Sequence, residues 1–167
     1  MDLHILRHAV AAAAKSDHPG QDSVRELTPE GARKMHRIAE AMKAGGLEFD
    51  LILSSPYVRA KQTADIVATV FKLKKVLRLS AALAPHAMLE KFVEEIKTRY
   101  PERTSILLVG HEPHLSRLIS VLASGTPGMT ISLKKGGLAK LTVAGLRAGR
   151  CASLDWLLTP KQIRAMG

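Results

Sequence analysis

The sequence predicts an α/β fold, a three-layer α/β/α sandwich around a mostly parallel sheet of about six strands with one antiparallel edge strand. Two observations predict it. Short apolar runs alternate along the chain with longer stretches of helical period. Most of those runs are apolar on both faces, as strands are when helices cover a sheet from both sides.

The first run, Leu3–Leu6, leads straight into Arg7 and His8. Thr28, Pro29 and Glu30 then provide an N-cap, a proline at the first helical position and an acid in the first turn. Ala32, Met35, Ile38, Ala39 and Met42 follow as one apolar stripe, which Gly45–Gly46 ends. Leu51–Leu53 reads as the second strand, and Ser55–Pro56 opens a helix to about Phe71 that buries Val67, Val70 and Phe71. Val76–Leu79 is the third strand. Leu89, Phe92, Val93 and Ile96 mark a helix stopped before Pro101. Ser105–Val109 is the fourth strand, and the helix after Pro113 carries Leu115, Leu118, Ile119 and Leu122 on one face. Leu138–Val143 is the fifth. Ser153–Leu158 alternates, holds Trp156 and reads as a half-exposed edge strand. With no repeat, low-complexity tract or linker, the 167 residues fit a single domain over 1–167.

Composition narrows the function classes. No apolar run reaches the roughly 20 residues of a membrane span, and Met1–Leu6 is too short and strand-like for a secretory signal. One cysteine, Cys151, allows no internal disulfide, so a cytoplasmic location is expected. The net charge of +10 favours anionic partners. The basic residues are scattered, however, and aromatics are only 4%, which leaves little on which to stack bases; charge alone does not choose among nucleic acid, acidic lipid, a phosphorylated metabolite and an acidic protein.

Three places combine chemistry with position. Arg7–His8 leaves the first strand, Gly110-His111-Glu112-Pro113 leaves the fourth, and Arg59 lies in the first turn of the helix after Leu51–Leu53. In a parallel sheet all three fall on the carboxyl edge, where such sheets bind ligands. Two imidazoles, two guanidiniums and two helix N-termini suit a tetrahedral dianion. Arginines grip phosphoryl oxygens, and a neutral imidazole attacks phosphorus to give an N-phosphorylated intermediate. Neighbouring arginines lower the nucleophile's pKa and keep it neutral. No acidic cage for a metal is evident, Glu112 alone being a poor one, and no cofactor is expected.

Four motifs carry a resemblance. Leu6-Arg7-His8-Ala9 resembles the Arg-His-Gly signature of the histidine phosphatase (phosphoglycerate mutase-like) superfamily. Leu27-Thr28-x-x-Gly31 resembles its helix start. The run Ser54-Ser55-Pro56-x-x-Arg59-Ala60-x-Gln62-Thr63-Ala64 resembles its second arginine motif, and Val109-Gly110-His111-Glu112-Pro113 its second histidine motif. The resemblance implies His8 as the phosphorylated nucleophile, Arg7 and Arg59 as phosphate ligands and His111 as the second catalytic histidine. Two departures stand out. Ala9 replaces the glycine after the nucleophile. Leu79–Pro85 holds no acid, Ala82 standing where the family's proton donor is expected. His86, Asp17 and Asp22 are the nearby groups that could donate a proton. The missing acid favours a phosphoramidate, whose imidazole leaves neutral once its other nitrogen is protonated, whereas an ester needs the general acid.

The short gaps between the motifs leave no room for a large cap, so an open site is expected. Both points resemble the SixA-like phosphohistidine phosphatase branch, as does Asp22-Ser23-Val24-Arg25-x-Leu27-Thr28, in which Arg25 is a further ligand for the phosphoprotein. The expected enzyme is a monomer acting on a phosphorylated protein, with no nucleic acid or membrane partner. Two other readings fit the same residues: a phosphatase for small phosphate esters, and a basic phosphate- or nucleic-acid-binding module with structural histidines.

Overall fold

The computed structural model describes residues 1–13 and 21–166. Six strands, β1 (Asp2–Arg7), β2 (Leu51–Ser54), β3 (Leu77–Leu79), β4 (Ser105–Gly110), β5 (Leu138–Val143) and β6 (Ala152–Leu158), form one sheet in the order β3-β2-β4-β1-β5-β6. The ladders from β3 to β1 are parallel. The sheet ends in an antiparallel edge: β5 runs against β1, and β6 closes the sheet against β5.

Helices α1 (Pro29–Ala44), α2 (Val58–Val70) and α5 (Pro160–Arg164) cover one face, with Met35, Met42, Ala64 and Val67 packed on Ile52, Leu107 and Val109. Helices α3 (Leu89–Arg99) and α4 (His114–Ser124) cover the other, where Phe92, Ile96, Leu115 and Leu118 meet Leu3, Ile5, Leu53 and Leu108. This is the three-layer sandwich expected from strands apolar on both faces. Each fully buried Leu or Ile side chain contributes about 1.5–3 kcal/mol of hydrophobic stabilisation.

The helix starts show why particular residues are needed. Thr28 accepts a hydrogen bond from the Gly31 N–H at 2.9 Å, as an N-cap should. The Thr28 N–H donates to the Val10 carbonyl at 3.0 Å, which ties α1 to the segment leaving β1. Gly31 lets that carbonyl come close, since a Cβ there would sit 2.1 Å from the Val10 oxygen. Helix α2 begins at Val58 rather than at Ser55–Pro56, because the Ser55 hydroxyl receives the Tyr57 N–H in a preceding turn. Helix α5 is a short addition to the expected elements, started by a capping box between Thr159 and Gln162.

Register sets the level of the strand ends. Arg7 lies opposite Gly110, and Ser54 opposite Val109. The carboxyl ends of β1, β4 and β2 therefore finish together, and the residues that follow them share one edge.

Gly31→Ala is expected to lower stability by about 1–3 kcal/mol, because its methyl group meets backbone that cannot rotate away. Chemical denaturation of the wild type and variant checks this. An unchanged midpoint would show that the contact between α1 and Val10 is loose.

Candidate active site

The three chain segments leaving β1, β4 and β2 bring His8, His111 and Arg59 together, each at most 6% exposed. The two imidazole centroids are 5.1 Å apart. His8 Nδ1 is 2.7 Å from the Ala9 carbonyl. A carbonyl only accepts, so the proton sits on Nδ1 and the lone pair on Nε2. Arg59 Nε donates to that Nε2 at 3.2 Å. Arg7, at the end of β1, is anchored by a 2.9 Å hydrogen bond from Nη1 to the Leu133 carbonyl.

The second arginine motif also holds the segment after β1. Thr63 Oγ1 accepts from the Ala9 N–H at 3.1 Å and donates to the Arg59 carbonyl at 2.7 Å. Gln62 Oε1 accepts from the Leu27 N–H at 2.7 Å. His111 Nε2 lies 2.8 Å from Ser55 Oγ, and its Nδ1 is buried without a partner among the described residues. With the Ser55 hydroxyl donating, the neutral ring carries its proton on Nδ1. Tyr57 packs at 5.1 Å from the His111 ring and lies under the Arg59 guanidinium at 5.4 Å.

A cleft of about 380 Å³ opens above these groups, lined in part by Arg7, His8, Arg59, Arg25 and His86. Of the sequence-predicted site residues, Arg7, His8, Arg25, Arg59 and His86 line this cleft, and His111 lies beneath it against His8. Lys135, Asp22 and Glu112 also line it. Lys135 was not picked out from sequence. Its local signal was only a Lys-Lys-Gly-Gly stretch, where the Gly136 N–H donates to the Arg7 carbonyl and turns the loop back onto β1. Glu112 Oε2 accepts from Ser116, and its Oε1 is buried without a partner among the described residues. Among those residues no three His, Cys, Asp or Glu side chains converge on a metal site.

Asp22 bridges the arginines: Oδ2 accepts from Arg59 Nη2 at 2.9 Å and Oδ1 from Arg25 Nη1 at 2.8 Å. Partial burial would raise its pKa, but the hydrogen bonds and charges of Arg59 and Arg25 outweigh that and hold it below its ordinary value. In this pairing Asp22 is an anion and not a proton donor. Asp17 lies outside the described residues.

Burial pushes the His8 pKa down to about 4; the Ala9 carbonyl opposes this, while Arg59, Arg7 and Lys135 add to it. Burial, then Arg59 and His8, push His111 down to about 3. Both rings are neutral near pH 7. The arrangement can present an unprotonated nitrogen to an electrophile that three cations hold by its oxygens.

These shifts make stability depend on pH. Below about 6.5 the unfolded chain protonates its histidines, while His8, His111 and His4 (also pushed down by burial, to about 4) remain neutral in the fold. The unfolded state then binds more protons, so stability falls as pH drops from about 6.5 towards 4, by about 1.4 kcal/mol per pH unit for each such histidine. Melting temperatures between pH 7.5 and 4.5 should follow that decline, with a shallower slope in His111→Asn. Equal slopes in the two proteins would contradict the burial of a neutral His111.

The profile of the family described as histidine phosphatase superfamily (branch 1) matches residues 3–84. The chain is 33% identical over 150 residues to an uncharacterised protein of Picosynechococcus sp., covering 89% of this chain and 86% of that protein. It is 26% identical over 166 residues to phosphohistidine phosphatase SixA of Escherichia coli K12, covering 98% and 97% of the two chains. The solved structure of the protein histidine phosphatase SixA complexed with tungstate superposes with a TM-score of 0.79 at 27% identity, covering 96% of this chain and 98% of that one.

Proposed function

The chain belongs to the histidine phosphatase superfamily, and from that premise we propose that it removes phosphoryl groups from protein phosphohistidine through a phosphorylated His8. Phosphatase activity goes with the superfamily and with the likeness to SixA. The substrate assignment rests on one observation. The unprotonated His8 Nε2 lies beneath a cleft lined by Arg7, Arg59 and Arg25, and among the described residues the segments after β1 and β3 add no helical cap. A cleft without such a cap among the described residues admits a phosphoryl group carried on another protein.

In the proposed reaction Arg7 and Arg59 hold the phosphoryl oxygens, and Arg59 shifts its Nε–H from His8 to the substrate. His8 Nε2 forms a bond to phosphorus as the substrate's P–N bond breaks, and the departing imidazole takes a proton and leaves neutral. His86, which lines the same cleft, is the proposed donor. His111 braces the transferring group. Water then attacks the phosphorus, the bond to His8 breaks and inorganic phosphate leaves. The partner is a phosphorylated protein, met by a monomeric enzyme in the cytosol. The lone Cys151, buried and unbridged, suits that reducing compartment.

One observation favours a second reading. Glu112 places a carboxyl group in the cleft, the type of group that general-acid cleavage of a small phosphate ester calls on.

Wild type and His8→Ala, each given an aryl phosphate and a phosphohistidine-bearing protein, separate the readings. Release by wild type alone, much faster from phosphohistidine, is the expected result. Release from the ester alone would leave His8 in place and move the substrate to small esters. Equal activity in the variant would remove His8 from the mechanism.

A further inference from the structure

A second cavity, of about 300 Å³, lies beside the catalytic cleft, between the start of α3 and the outer side of α4. The two share His86, so whatever is attached to a bound phosphoryl group meets this cavity one side chain away. Met88 and Leu89 form one wall, Val121 another, and Arg117 lies on the lining. The floor includes His114, only 6% exposed, whose Nε2–H donates to the Ala82 carbonyl at 3.1 Å. That bond ties α4 to the segment where the superfamily's acid was expected and stiffens the floor. Met88 is 62% exposed, a flexible thioether held in solvent at the cavity's edge.

Resting on the phosphohistidine reading, we infer that this cavity is a docking subsite for the phosphoprotein, taking an aliphatic side chain that flanks the phosphohistidine while Arg117 pairs with a neighbouring carboxylate. Charge complementarity selects an acidic partner. The chain carries a net charge of +10. Arg117 and Lys135, in the two cavities that His86 joins, have no carboxylate partner among the described residues. Of the two acids in the catalytic cleft's lining, Asp22 is occupied by Arg25 and Arg59 and Glu112 accepts from Ser116. Glu90 is the single acid in the second cavity's lining. An acidic segment approaching the cleft is drawn in by these charges and is then discriminated by the apolar walls.

The test uses two synthetic phosphohistidine peptides, one with leucine and glutamate beside the phosphohistidine and one with glycine and serine there. Wild type should show kcat/KM on the order of ten-fold higher for the leucine–glutamate peptide, chiefly through KM, which is the scale of one buried aliphatic side chain and one ion pair. Met88→Glu combined with Arg117→Glu, both exposed positions, should abolish that preference. Turnover of the glycine–serine peptide and of an aryl phosphate should remain within about two-fold of wild type. Equal kcat/KM for both peptides in wild type, or a preference that survives the double substitution, would overturn the subsite while leaving phosphohistidine hydrolysis intact. Turnover of the aryl phosphate with neither peptide cleaved would overturn the phosphohistidine reading and the subsite with it.

Discussion

The 2.7 Å hydrogen bond from His8 Nδ1 to the Ala9 carbonyl decides which imidazole nitrogen is free to react, and much of the surrounding structure serves to keep it in place. Ala9 cannot drift, because its N–H is held by Thr63, whose hydroxyl in turn donates to the Arg59 carbonyl. His8 and the arginine that faces it are thus fixed through one threonine. The same lock keeps the lone pair on Nε2, where Arg59 covers it at 3.2 Å until another acceptor arrives. Asp22 plays the matching part for the guanidiniums: its carboxylate satisfies Arg59 and Arg25 with the hydrogen bonds a phosphoryl group would otherwise receive.

Such a cluster of buried imidazoles and guanidiniums is costly to assemble, and the sheet is what assembles it. In a parallel β1–β4–β2 core, level strand ends place three chain exits side by side without a long loop. The helices beyond β2 and β4 then start at that edge, which favours an anion there. Burial and positive charge act in the same direction on the histidines and hold them neutral. The chemistry and the acid sensitivity of the fold therefore have a common origin.

Much of this could be read from the chain. Ile106–Val109 is apolar on both faces and Leu3–Leu6 is apolar but for His4, so their burial between helix layers needed no tertiary information. His8, Arg59 and His111 were legible because residue type and strand-end position coincided. Lys135 was not legible. It reaches the cleft through a turn packed on Arg7, a contact across most of the sequence with no local periodicity to announce it. The pairing of Asp22 with Arg59 is likewise a loop contact across 37 positions. The start of α2 was placed three residues early because Ser55–Pro56 has the composition of a helix start, whereas Ser55 is used instead to hold Tyr57 and His111.

The most direct measurement is chemical trapping of the phosphoryl group on the enzyme. Wild type mixed with a radiolabelled phosphohistidine protein, quenched in base within a single turnover and digested, should yield one labelled peptide containing His8. The label should be stable in base and lost in acid, as a phosphoramidate is, and absent from His8→Asn. Turnover without any labelled enzyme, or a label located on another residue, would contradict the account.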